Sequence, residues 1–408
     1  MKKHILVVSQ YFFPEQFRIN DICKEWVNRG HKVTVVTGIP NYPEGKFYKG
    51  YSWFKKRREI KDGINIIRIP IFARGKKSIS LFLNYLSFVI SGWFFTKITR
   101  IKADYVFTYE VSPIFQAKLG VWYGNRRKIP SIIYVMDLWP DNLEIIGGVK
   151  NKFILNKVSK ITKKIYNNTS LILISSNSFI ESIHEMGVDK EKIYFWPQYA
   201  EDFYIKKNII DSIIEIIPQD EYLNLVFTGN IGFAQGLEIL LDVAKILKTK
   251  GLKVRFNIIG DGRAKESLIN QVKEDYLDEY FNFINKQKAE MIPYFIACCN
   301  AAILTLKNNK IFEKTIPAKL QSYMACGIPI LANANGEVKQ IIQESNSGYV
   351  SEAGNIEKFA EIIERFYYTD DNERKNFSNN AISYFNINYQ KKKLMDELDL
   401  ILDELRRK

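Results

Sequence analysis

The sequence predicts an α/β protein with two consecutive doubly wound, Rossmann-like domains facing a central cleft, and three observations predict it. Apolar runs of strand length alternate with helical patterns through the first half of the chain. The same alternation begins again near residue 223, after a segment in which it lapses. The length of 408 residues is also great for one compact core, so two or three domains are expected.

The first series opens with Ile5–Val8, a continuous apolar run that suits a parallel strand buried on both faces. A helix near Asn20–Asn28 follows, and Gly30 ends it. Strands joined by helical crossovers form a doubly wound sheet, so the following apolar runs continue the same domain. They are Val33–Thr37, Asn65–Ile69, Tyr105–Thr108, Ser131–Val135 and Leu171–Ile174.

The pattern lapses around Trp196–Ile216, where polar and aromatic residues mix between prolines. We expect the inter-domain linker there, which predicts domains at residues 1–200 and 201–385. A charged helix over Tyr389–Lys408 is predicted at the end of the chain, with a capping role as the simplest interpretation. Its apolar residues are Leu394, Leu398, Leu400 and Ile401.

The second series begins with a strand at Leu223–Thr228, followed by a glycine-bearing turn at Gly229–Gly236. One helical face then carries Leu237, Leu240, Leu241, Ala244 and Leu247, and the helix ends at Gly251. The remaining predicted strands are Val254–Ile259, Phe281–Ile284, Ala302–Thr305, Ile328–Ala332 and Tyr349–Val350. Because ligands of such sheets bind at the carboxyl ends of the strands, the cleft between the domains is the expected site.

The amino-acid composition indicates which classes of partner to expect. A formal net charge of +14 favours an anionic partner, which is nucleic acid, anionic lipid or a phosphate-bearing substrate. The four cysteines show no metal-binding spacing and the chain has three histidines, so we expect reduced structural thiols in the cytoplasm and no metal site. The apolar run at the amino terminus stops at Ser9, too short for a signal peptide.

One segment resembles a membrane helix. Ser78 to Thr96 carries no formal charge and has about the length that spans hydrocarbon. A full crossing would place strands of one sheet on opposite sides of the bilayer, so we predict a helix lying against something apolar. That partner is either the protein core or the membrane interface, and both remain open. Polar residues recur on one narrow stripe and basic residues flank the helix, namely Ser80, Asn84, Ser87 and Ser91 in the stripe and Arg74, Lys76, Lys77, Lys97, Arg100 and Lys55–Arg58 around it.

Two glycine turns and one lysine are candidates for binding a phosphate. Gly229–Gly236 and Gly260–Gly262 each follow a strand, where glycines let a phosphate approach the backbone. Either one is also compatible with a simple tight turn. Pro317 is expected to open a helix that Gly327 ends, and Lys319 near its start can meet a diphosphate as a point charge.

Asp137 is the candidate for catalysis. It follows the strand Ser131–Val135, where a carboxylate can hydrogen-bond a sugar hydroxyl or act as a base. The competing interpretation is a helix N-cap, which we assign instead to Asp141. His31 is expected to be structural.

These motifs resemble glycosyltransferase family 4, and within it the bacterial WbuB-like and WcaI-like enzymes of surface-polysaccharide synthesis. In the first half the resemblance rests on Tyr11–Glu15, Gly30–Val33, Pro40–Gly45 and Asp137–Pro140. In the second half it rests on Thr228–Gly232, Gly260–Gly262, Pro317–Pro329 and Asn335–Glu337. It covers essentially the whole chain, and the order and spacing of the motifs make it specific.

The resemblance implies a GT-B fold and a retaining transferase that needs no cofactor and no metal. The nucleotide-sugar donor would bind the second domain, the acceptor the first, and residues 386–408 would cross back onto the first. The donor is expected to be a UDP-sugar, and WbuB-like relatives favour an N-acetylated deoxysugar such as UDP-N-acetylfucosamine. The implied acceptor is a polyprenyl-diphosphate-linked saccharide of O-antigen or capsule synthesis, met at the inner face of the bacterial plasma membrane by a peripheral or monotopic enzyme.

The residue assignments follow from matching motif positions. The expected donor site consists of Gly229, Asn230, Gly232, Gln235, Gly260, Asp261, Gly262, Arg263, Thr315, Lys319 and Ser322. The expected acceptor or cleft residues are Phe13, Pro14, Arg18, Asn41, Tyr42 and Trp139, beside the catalytic Asp137.

Several positions depart from the family pattern. An Arg and a Lys that help to hold the donor diphosphate are replaced by Asn230 and Gln235. Two Glu, the second of which binds the ribose, are replaced by Lys314 and Ser322, and a His before the cleft carboxylate is replaced by Met136. Lys319, Lys314 and Arg263 are the candidates to supply the missing positive charge.

Two other function classes compete. A non-hydrolysing UDP-sugar epimerase shares the two-domain architecture but needs no membrane surface and no second substrate. A nucleic-acid-binding protein is suggested by the charge alone, and no RNA- or DNA-binding module is recognisable. We therefore expect no nucleic-acid partner.

Overall fold

A computed structural model describes residues 2–75, 77–145 and 147–407. Lys76, one of the basic residues predicted to flank the apolar helix, lies outside the described residues, as does Lys408 at the end of the predicted crossing segment. The chain forms two compact units, Met1–Trp196 with Leu400–Lys408 and Pro197–Asp399. The boundaries at 200 and 385 and the crossing of 386–408 stay predictions.

The first unit is built on an eight-stranded sheet in the order β3-β4-β2-β1-β5-β6-β7-β8, in which only the β3–β4 pair is antiparallel. Its strands are β1 His4–Val8, β2 Lys32–Thr37, β3 Arg58–Lys61, β4 Ile64–Arg68, β5 Tyr105–Glu110, β6 Ser131–Val135, β7 Leu171–Ile174 and β8 Ile193–Phe195. Its helices are α1 Arg18–Asn28, α2 Ser78–Ile98, α3 Ala117–Arg127, α4 Asp141–Ile145, α5 Lys152–Asn167 and α6 Phe179–His184.

The second unit has a six-stranded parallel sheet in the order β11-β10-β9-β12-β13-β14. Its strands are β9 Leu223–Asn230, β10 Val254–Asp261, β11 Phe281–Ile284, β12 Ala301–Thr305, β13 Ile330–Asn333 and β14 Gly348–Ser351. Its helices are α7 Asp211–Ile214, α8 Ile239–Thr249, α9 Lys265–Glu274, α10 Ile292–Ala297, α11 Lys310–Glu313, α12 Ala318–Cys326, α13 Gly336–Ser345, α14 Ile356–Tyr367 and α15 Asp371–Asn388. The last helix, α16 Lys391–Arg407, begins in this unit and its final residues group with the first.

Two predicted local features are confirmed. The apolar face predicted for α8 is buried, with Leu240, Leu241 and Leu247 in the core of the second unit, although Leu237 precedes the helix. Pro317 is the N-cap of α12, and Gly327 ends that helix in the left-handed conformation with φ of 64°. Glycine adopts this conformation without a Cβ clash, which explains why the helix stops there.

Several predictions about elements are wrong. β3 and β8 were missed, because β3 is an exposed edge strand with polar residues and β8 has three residues. Leu400, one of the apolar residues of the last helix, is 66% exposed, whereas Met395 and Leu402 are buried. Asp141 is the first residue of α4 and not the residue before the helix.

Candidate active site

The carboxyl ends of β9 and β10 form one candidate site, in the second unit. The predicted turn at Gly229–Gly236 is shorter than expected, because Gly229 and Asn230 still belong to β9 and pair with Gly260 and Asp261 of β10. The Ile231 amide continues the ladder by donating to the Asp261 carbonyl over 2.9 Å. The turn proper therefore begins at Ile231, and the two glycines lie at strand ends.

At the end of β10, Gly260 has no room for a side chain. Gly260 has φ of 152°, and a Cβ there would lie 1.9 Å from the Gly229 carbonyl oxygen. No side chain fits at that distance, so the two strands approach each other as bare backbone. At this edge of the sheet, no Cβ atom separates Gly229 from Gly260.

Lys319 in the first turn of α12 extends towards this edge. Its aliphatic stem is partly exposed, but its amine is buried, with the Nζ atom 3.5 Å from the centre of the Phe227 ring. Nζ lies 3.8 Å from where a Cβ of Gly229 would be, and it has no hydrogen-bond partner in the part of the chain described. Burial lowers the pKa of this amine to about 7, because an ammonium ion loses its hydration there. A buried cation without a counter-charge is unfavourable, and an anion would relieve it.

Of the other residues predicted for the donor site, some have exposed side chains and others have side chains that are buried or hydrogen-bonded within the protein. The side chains of Asn230 and Arg263 are exposed, and neither forms a hydrogen bond or ion pair with a described residue. Asp261 is exposed, and its Oδ1 accepts from the Gly262 amide over 2.8 Å. Gln235 has a buried Oε1 atom without a partner among the described residues. A Cβ at Gly232 would lie 2.6 Å from Nδ2 of Asn230, so these neighbours are packed closely.

Thr315 and Ser322 use their hydroxyl groups inside the protein. The Thr315 hydroxyl donates to the Ile311 carbonyl over 2.8 Å, and the Ser322 hydroxyl donates to the Ala318 carbonyl over 3.2 Å. Ser322 is 7% exposed, so it offers a ribose only its lone pairs. Tyr323, which the sequence did not indicate, accepts from the Thr228 amide over 2.9 Å and ties α12 to β9.

A separate candidate site lies in the first unit, at the ends of β5 and β6. The Asp137 carboxylate accepts from the Ser112 amide over 2.8 Å and from the Ser112 hydroxyl over 2.7 Å, both at Oδ2. These bonds fix the orientation of a partly exposed carboxylate. Its other oxygen remains available to a substrate hydroxyl.

Glu110 lies beside Asp137 and was not predicted. It is the last residue of β5 and fully buried, and burial raises the pKa of its carboxyl group well above the usual range. The negative charge of Asp137 raises it further. Burial therefore favours the neutral form of the Glu110 carboxyl group. The predicted strand ended at Thr108, two residues before Glu110, so the sequence pattern indicated no role for this residue.

Glu15 was also not predicted as a site residue. Its carboxylate holds together the loops that contain Phe12 and Asn41–Tyr42. Its Oε1 accepts from the Asn41 and Tyr42 amides, each over 2.7 Å, and its Oε2 accepts from the Phe12 amide over 3.2 Å. It is 2% exposed, and burial raises the pKa of its carboxyl group to about 7, against the lowering effect of those three amides. The signal was a carboxylate within an otherwise apolar motif.

The predicted acceptor residues are only partly brought together. Asn41 is buried, with its Oδ1 accepting from the Arg74 amide over 2.8 Å, whereas Tyr42 is 38% exposed. Trp139 is 6% exposed and packs in the core against Phe115, so it supports the site from below and does not face a ligand.

The remaining three predicted acceptor residues lie just before α1 or at its start: Phe13, Pro14 and Arg18. Phe13 and Pro14 are partly exposed, and the Phe13 carbonyl accepts from the Arg68 guanidinium over 2.9 Å. Arg18 begins α1, and its positive charge acts on the hydroxyl of the buried Tyr134.

Helix α2 was predicted to lie against either the protein core or the membrane interface, and the structure shows which of its faces packs against the protein. The polar stripe faces the protein: Asn84 is fully buried and donates to the Phe72 carbonyl over 2.6 Å, while the Ser91 hydroxyl donates to the Pro70 carbonyl over 2.6 Å. The apolar face is exposed, so α2 is not a core helix. Its outward residues, which we call the apolar surface, are Ile79, Phe82, Leu83, Leu86, Ile90, Trp93, Phe94 and Ile98, each at least 41% exposed.

By length and composition α2 could cross a membrane, and about a fifth of it is buried in the protein. Of the nearby basic run, Lys55, Lys56 and Arg58 are exposed, whereas Arg57 donates to the Trp53 carbonyl over 2.9 Å. Within residues 2–75, 77–145 and 147–407, no group of three or more His, Cys, Asp or Glu side chains is arranged to hold a metal ion.

Two family models match the chain in succession. The model described as Glycosyltransferase Family 4 matches residues 17–198, and the model described as Glycosyl transferases group 1 matches residues 211–384. The first includes Asp137 and Asn41, and the second includes Gly229 and Lys319.

Named relatives agree with both models. The chain is 23% identical to the putative colanic acid biosynthesis glycosyl transferase WcaI of Escherichia coli over 83% of this chain and 86% of that one. It is 26% identical to the probable glycosyltransferase WbjE of Pseudomonas aeruginosa over 53% of this chain and 55% of that one. Among solved structures, Anabaena HepE in complex with UDP and glucose superimposes with a TM-score of 0.71 at 15% identity, covering 98% of this chain and 100% of that one.

Proposed function

Because the chain is a glycosyltransferase of the GT-B fold, with a Glycosyltransferase Family 4 domain followed by a group 1 glycosyl transferase domain, we propose that it transfers a sugar from a UDP-sugar to a lipid-linked saccharide. One relative of this chain is named for colanic acid biosynthesis, and this chain is likewise a glycosyltransferase of bacterial polysaccharide biosynthesis. The proposed transfer retains the configuration at the anomeric carbon.

The buried amine of Lys319 is the observation that carries the donor assignment. It has no partner in the described chain, and it lies beside a strand edge of bare backbone at Gly229 and Gly260. A diphosphate would supply the missing counter-charge, and the glycines allow it to approach the backbone. Arg263, exposed in the turn after β10, is the proposed second cation.

The leaving group gains negative charge during the reaction. As the acceptor hydroxyl forms its bond to the anomeric carbon, the bond to the diphosphate oxygen breaks and the hydroxyl proton passes to the departing diphosphate. Lys319 would stabilise that charge in the transition state, which is where such groups contribute most. Asp137, oriented by Ser112, would accept a hydrogen bond from the attacking hydroxyl and align it.

The acceptor assignment is supported by the apolar surface on α2. An exposed row of large apolar side chains is unfavourable in water, and Lys97 and Arg100 at its end suit an anionic lipid surface. We therefore place the enzyme at the inner face of the bacterial plasma membrane. UDP-N-acetyl-deoxysugars such as UDP-N-acetylfucosamine are the first donors to test.

The test is UDP release from a panel of UDP-sugars, with and without a polyprenyl-diphosphate-linked saccharide in membranes. We expect release only with the acceptor, and loss of at least about 100-fold in Lys319→Ala. Lys245→Ala is the control, since Lys245 is an exposed lysine paired with Asp275. Conversion of a UDP-sugar to its epimer without acceptor would instead establish the epimerase, and activity confined to GDP- or dTDP-sugars would refute the donor assignment.

A further inference from the structure

The first unit holds a second cation without a counter-charge. The Arg74 guanidinium is surrounded by aromatic rings, with its central carbon 5.2 Å from the Tyr42 ring centre and 6.0 Å from those of Tyr11 and Tyr85. Its Nη1 donates to the Tyr11 hydroxyl over 2.8 Å. Within the described ranges it forms no ion pair with an acidic side chain.

The position of Arg74 is fixed by its neighbours. Its amide donates to Oδ1 of Asn41 over 2.8 Å, and the Gly75 amide donates to the Gly45 carbonyl over 2.9 Å. On the other side, Asn84 of α2 donates to the Phe72 carbonyl. The guanidinium is thus held in place before any ligand arrives, which reduces the entropy lost on binding.

The ring cluster around Arg74 is partly open to solvent. Phenol rings attract a guanidinium through their faces, but they do not neutralise its charge. Tyr42 is 38% exposed, and Arg74 and Tyr85 are partly exposed, so the cluster opens to solvent. A phosphate matches the forked geometry of a guanidinium and would supply the missing charge.

The surroundings narrow the ligand further. Tyr85 lies on α2, where burial raises the pKa of its hydroxyl and the negative charge of Asp137 raises it further, so the cluster is within electrostatic reach of the proposed catalytic carboxylate. Phe82 and Leu86, on the same helix, begin the apolar surface. A ligand that joins a phosphate, a hydrocarbon chain and a reactive sugar hydroxyl would meet all three features.

We propose that Arg74, within the ring cluster of Tyr11, Tyr42 and Tyr85, binds a phosphate of the prenyl carrier on which the acceptor saccharide is built. The prenyl chain would then lie along the apolar surface of α2. The identification of the anion as the acceptor's phosphate rests on the proposed function, since a transferase with another acceptor would need no prenyl phosphate.

The experiment measures binding of farnesyl diphosphate, a water-soluble prenyl diphosphate, by calorimetry without any donor. We expect wild-type binding, at least about tenfold weaker binding in Arg74→Gln, and intermediate binding in Arg74→Lys, which keeps the charge and loses the fork. Lys190→Gln is the control, because Lys190 is an exposed basic residue of the first unit that pairs with Glu181. Thermal unfolding of each variant shows that the fold is retained.

Two further ligands separate the possible sources of the anion. Inorganic pyrophosphate should bind more weakly than farnesyl diphosphate, and UDP should bind equally well to wild type and Arg74→Gln but weakly to Lys319→Ala. Failure of farnesyl diphosphate to bind, or equal binding to Arg74→Gln, would overturn the proposal. So would a loss of UDP affinity in Arg74→Gln, which would make Arg74 a donor residue.

This binding test is independent of turnover. If no UDP-sugar supports transfer, the proposed function fails, while farnesyl diphosphate binding still reports on Arg74. If transfer occurs, we expect Arg74→Gln to raise KM for a prenyl-diphosphate-linked acceptor about tenfold and to leave KM unchanged for the same saccharide without phosphate. Equal effects on both acceptors would contradict a phosphate contact.

Discussion

The carboxyl edges of the two sheets differ in what they present to a ligand. In the second unit, the ends of β9 and β10 are glycines in contact, and the buried amine of Lys319 is beside them. In the first unit, the ends of β5 and β6 carry side chains, with Asp137 held by Ser112. Similar doubly wound sheets thus provide a backbone surface suited to a diphosphate and a side-chain surface suited to hydroxyl groups.

The largest expected effect tests the side-chain edge. Asp137→Asn keeps an oxygen that can accept from Ser112 but removes the charge that orients the attacking hydroxyl, so we expect kcat to fall at least about 100-fold. Steady-state transfer measures this, and UDP affinity should not change. Ser112→Ala should cost less, because the carboxylate keeps its charge and one amide donor. If Asp137→Asn retains activity, Asp137 does not orient the attacking hydroxyl as proposed.

The backbone edge can be broken sterically. Gly260→Ala would put a Cβ 1.9 Å from the Gly229 carbonyl, and we expect it to lower the free energy of unfolding by about 3 kcal/mol. Gly251→Ala is the matched control: it has a positive φ of 67° but open space around it, so about 1 kcal/mol is expected. Denaturant unfolding compares them, and equal costs would show that the close contact of the strands is not what requires glycine.

Glu15 should make the stability of the first unit depend on pH. The pKa of its carboxyl group is about 7 in the folded protein and near 4.5 when unfolded, so the folded state holds the proton more tightly. Its contribution to stability is therefore fully present below about pH 4.5 and is lost as pH rises through 7, by about 2–3 kcal/mol. Glu15→Gln should lack this loss.

The measurement for Glu15 is denaturant unfolding of both proteins between pH 5 and 8. The difference between wild type and Glu15→Gln removes the contributions of other titrating groups. A difference that does not change with pH would show that Glu15 is ionised throughout in the folded protein.

The affinity for UDP should also depend on pH, through Lys319. The pKa of the free amine is about 7, and a bound diphosphate would raise it, so affinity should fall as pH rises above 7, by about tenfold per unit at most. Calorimetry in buffers of different ionisation enthalpy would detect the proton taken up on binding. Lys319→Arg should bind UDP without this pH dependence, and a wild-type affinity that is flat between pH 7 and 9 would contradict the assignment.

The smallest effects concern the apolar surface. Replacement of Phe82 or Trp93 by Ser should barely change stability, because both side chains are exposed, but should weaken binding to phosphatidylglycerol vesicles several-fold, or about 1 kcal/mol each. Phe153→Ser is the control, since Phe153 is 75% exposed on α5. Vesicle co-sedimentation measures this, and equal losses for all three would show unspecific adhesion.

Local patterns predicted most of the fold. Buried parallel strands are continuous apolar runs, so strands such as β1 and β11 were found at or near their true bounds. The GT-B class is confirmed. Strand ends were misplaced where glycine continues a strand, as at Gly229 and Gly260, because glycine in a sequence indicates a turn. For α2, the polar stripe was predicted but not the side that it faces, because here the polar face packs against the protein and the apolar face is exposed.

The candidate site was predictable only where a motif carries it. Lys319 was found because it lies within a dense pattern between Pro317 and Gly327. Glu15 and Arg74 were missed as site residues because their roles depend on partners far along the chain, Asn41 for both. Burial decides their chemistry, and burial is a property of the folded chain.

Sugar transfer to a lipid-linked acceptor can be tested directly by measuring the mass of that acceptor. After incubation with enzyme and UDP-sugar, we expect the acceptor to gain the mass of one glycosyl residue for each UDP formed, and to remain unchanged with Lys319→Ala. An acceptor of unchanged mass, with the UDP-sugar converted to an epimer or hydrolysed at the same rate in its absence, would contradict the account.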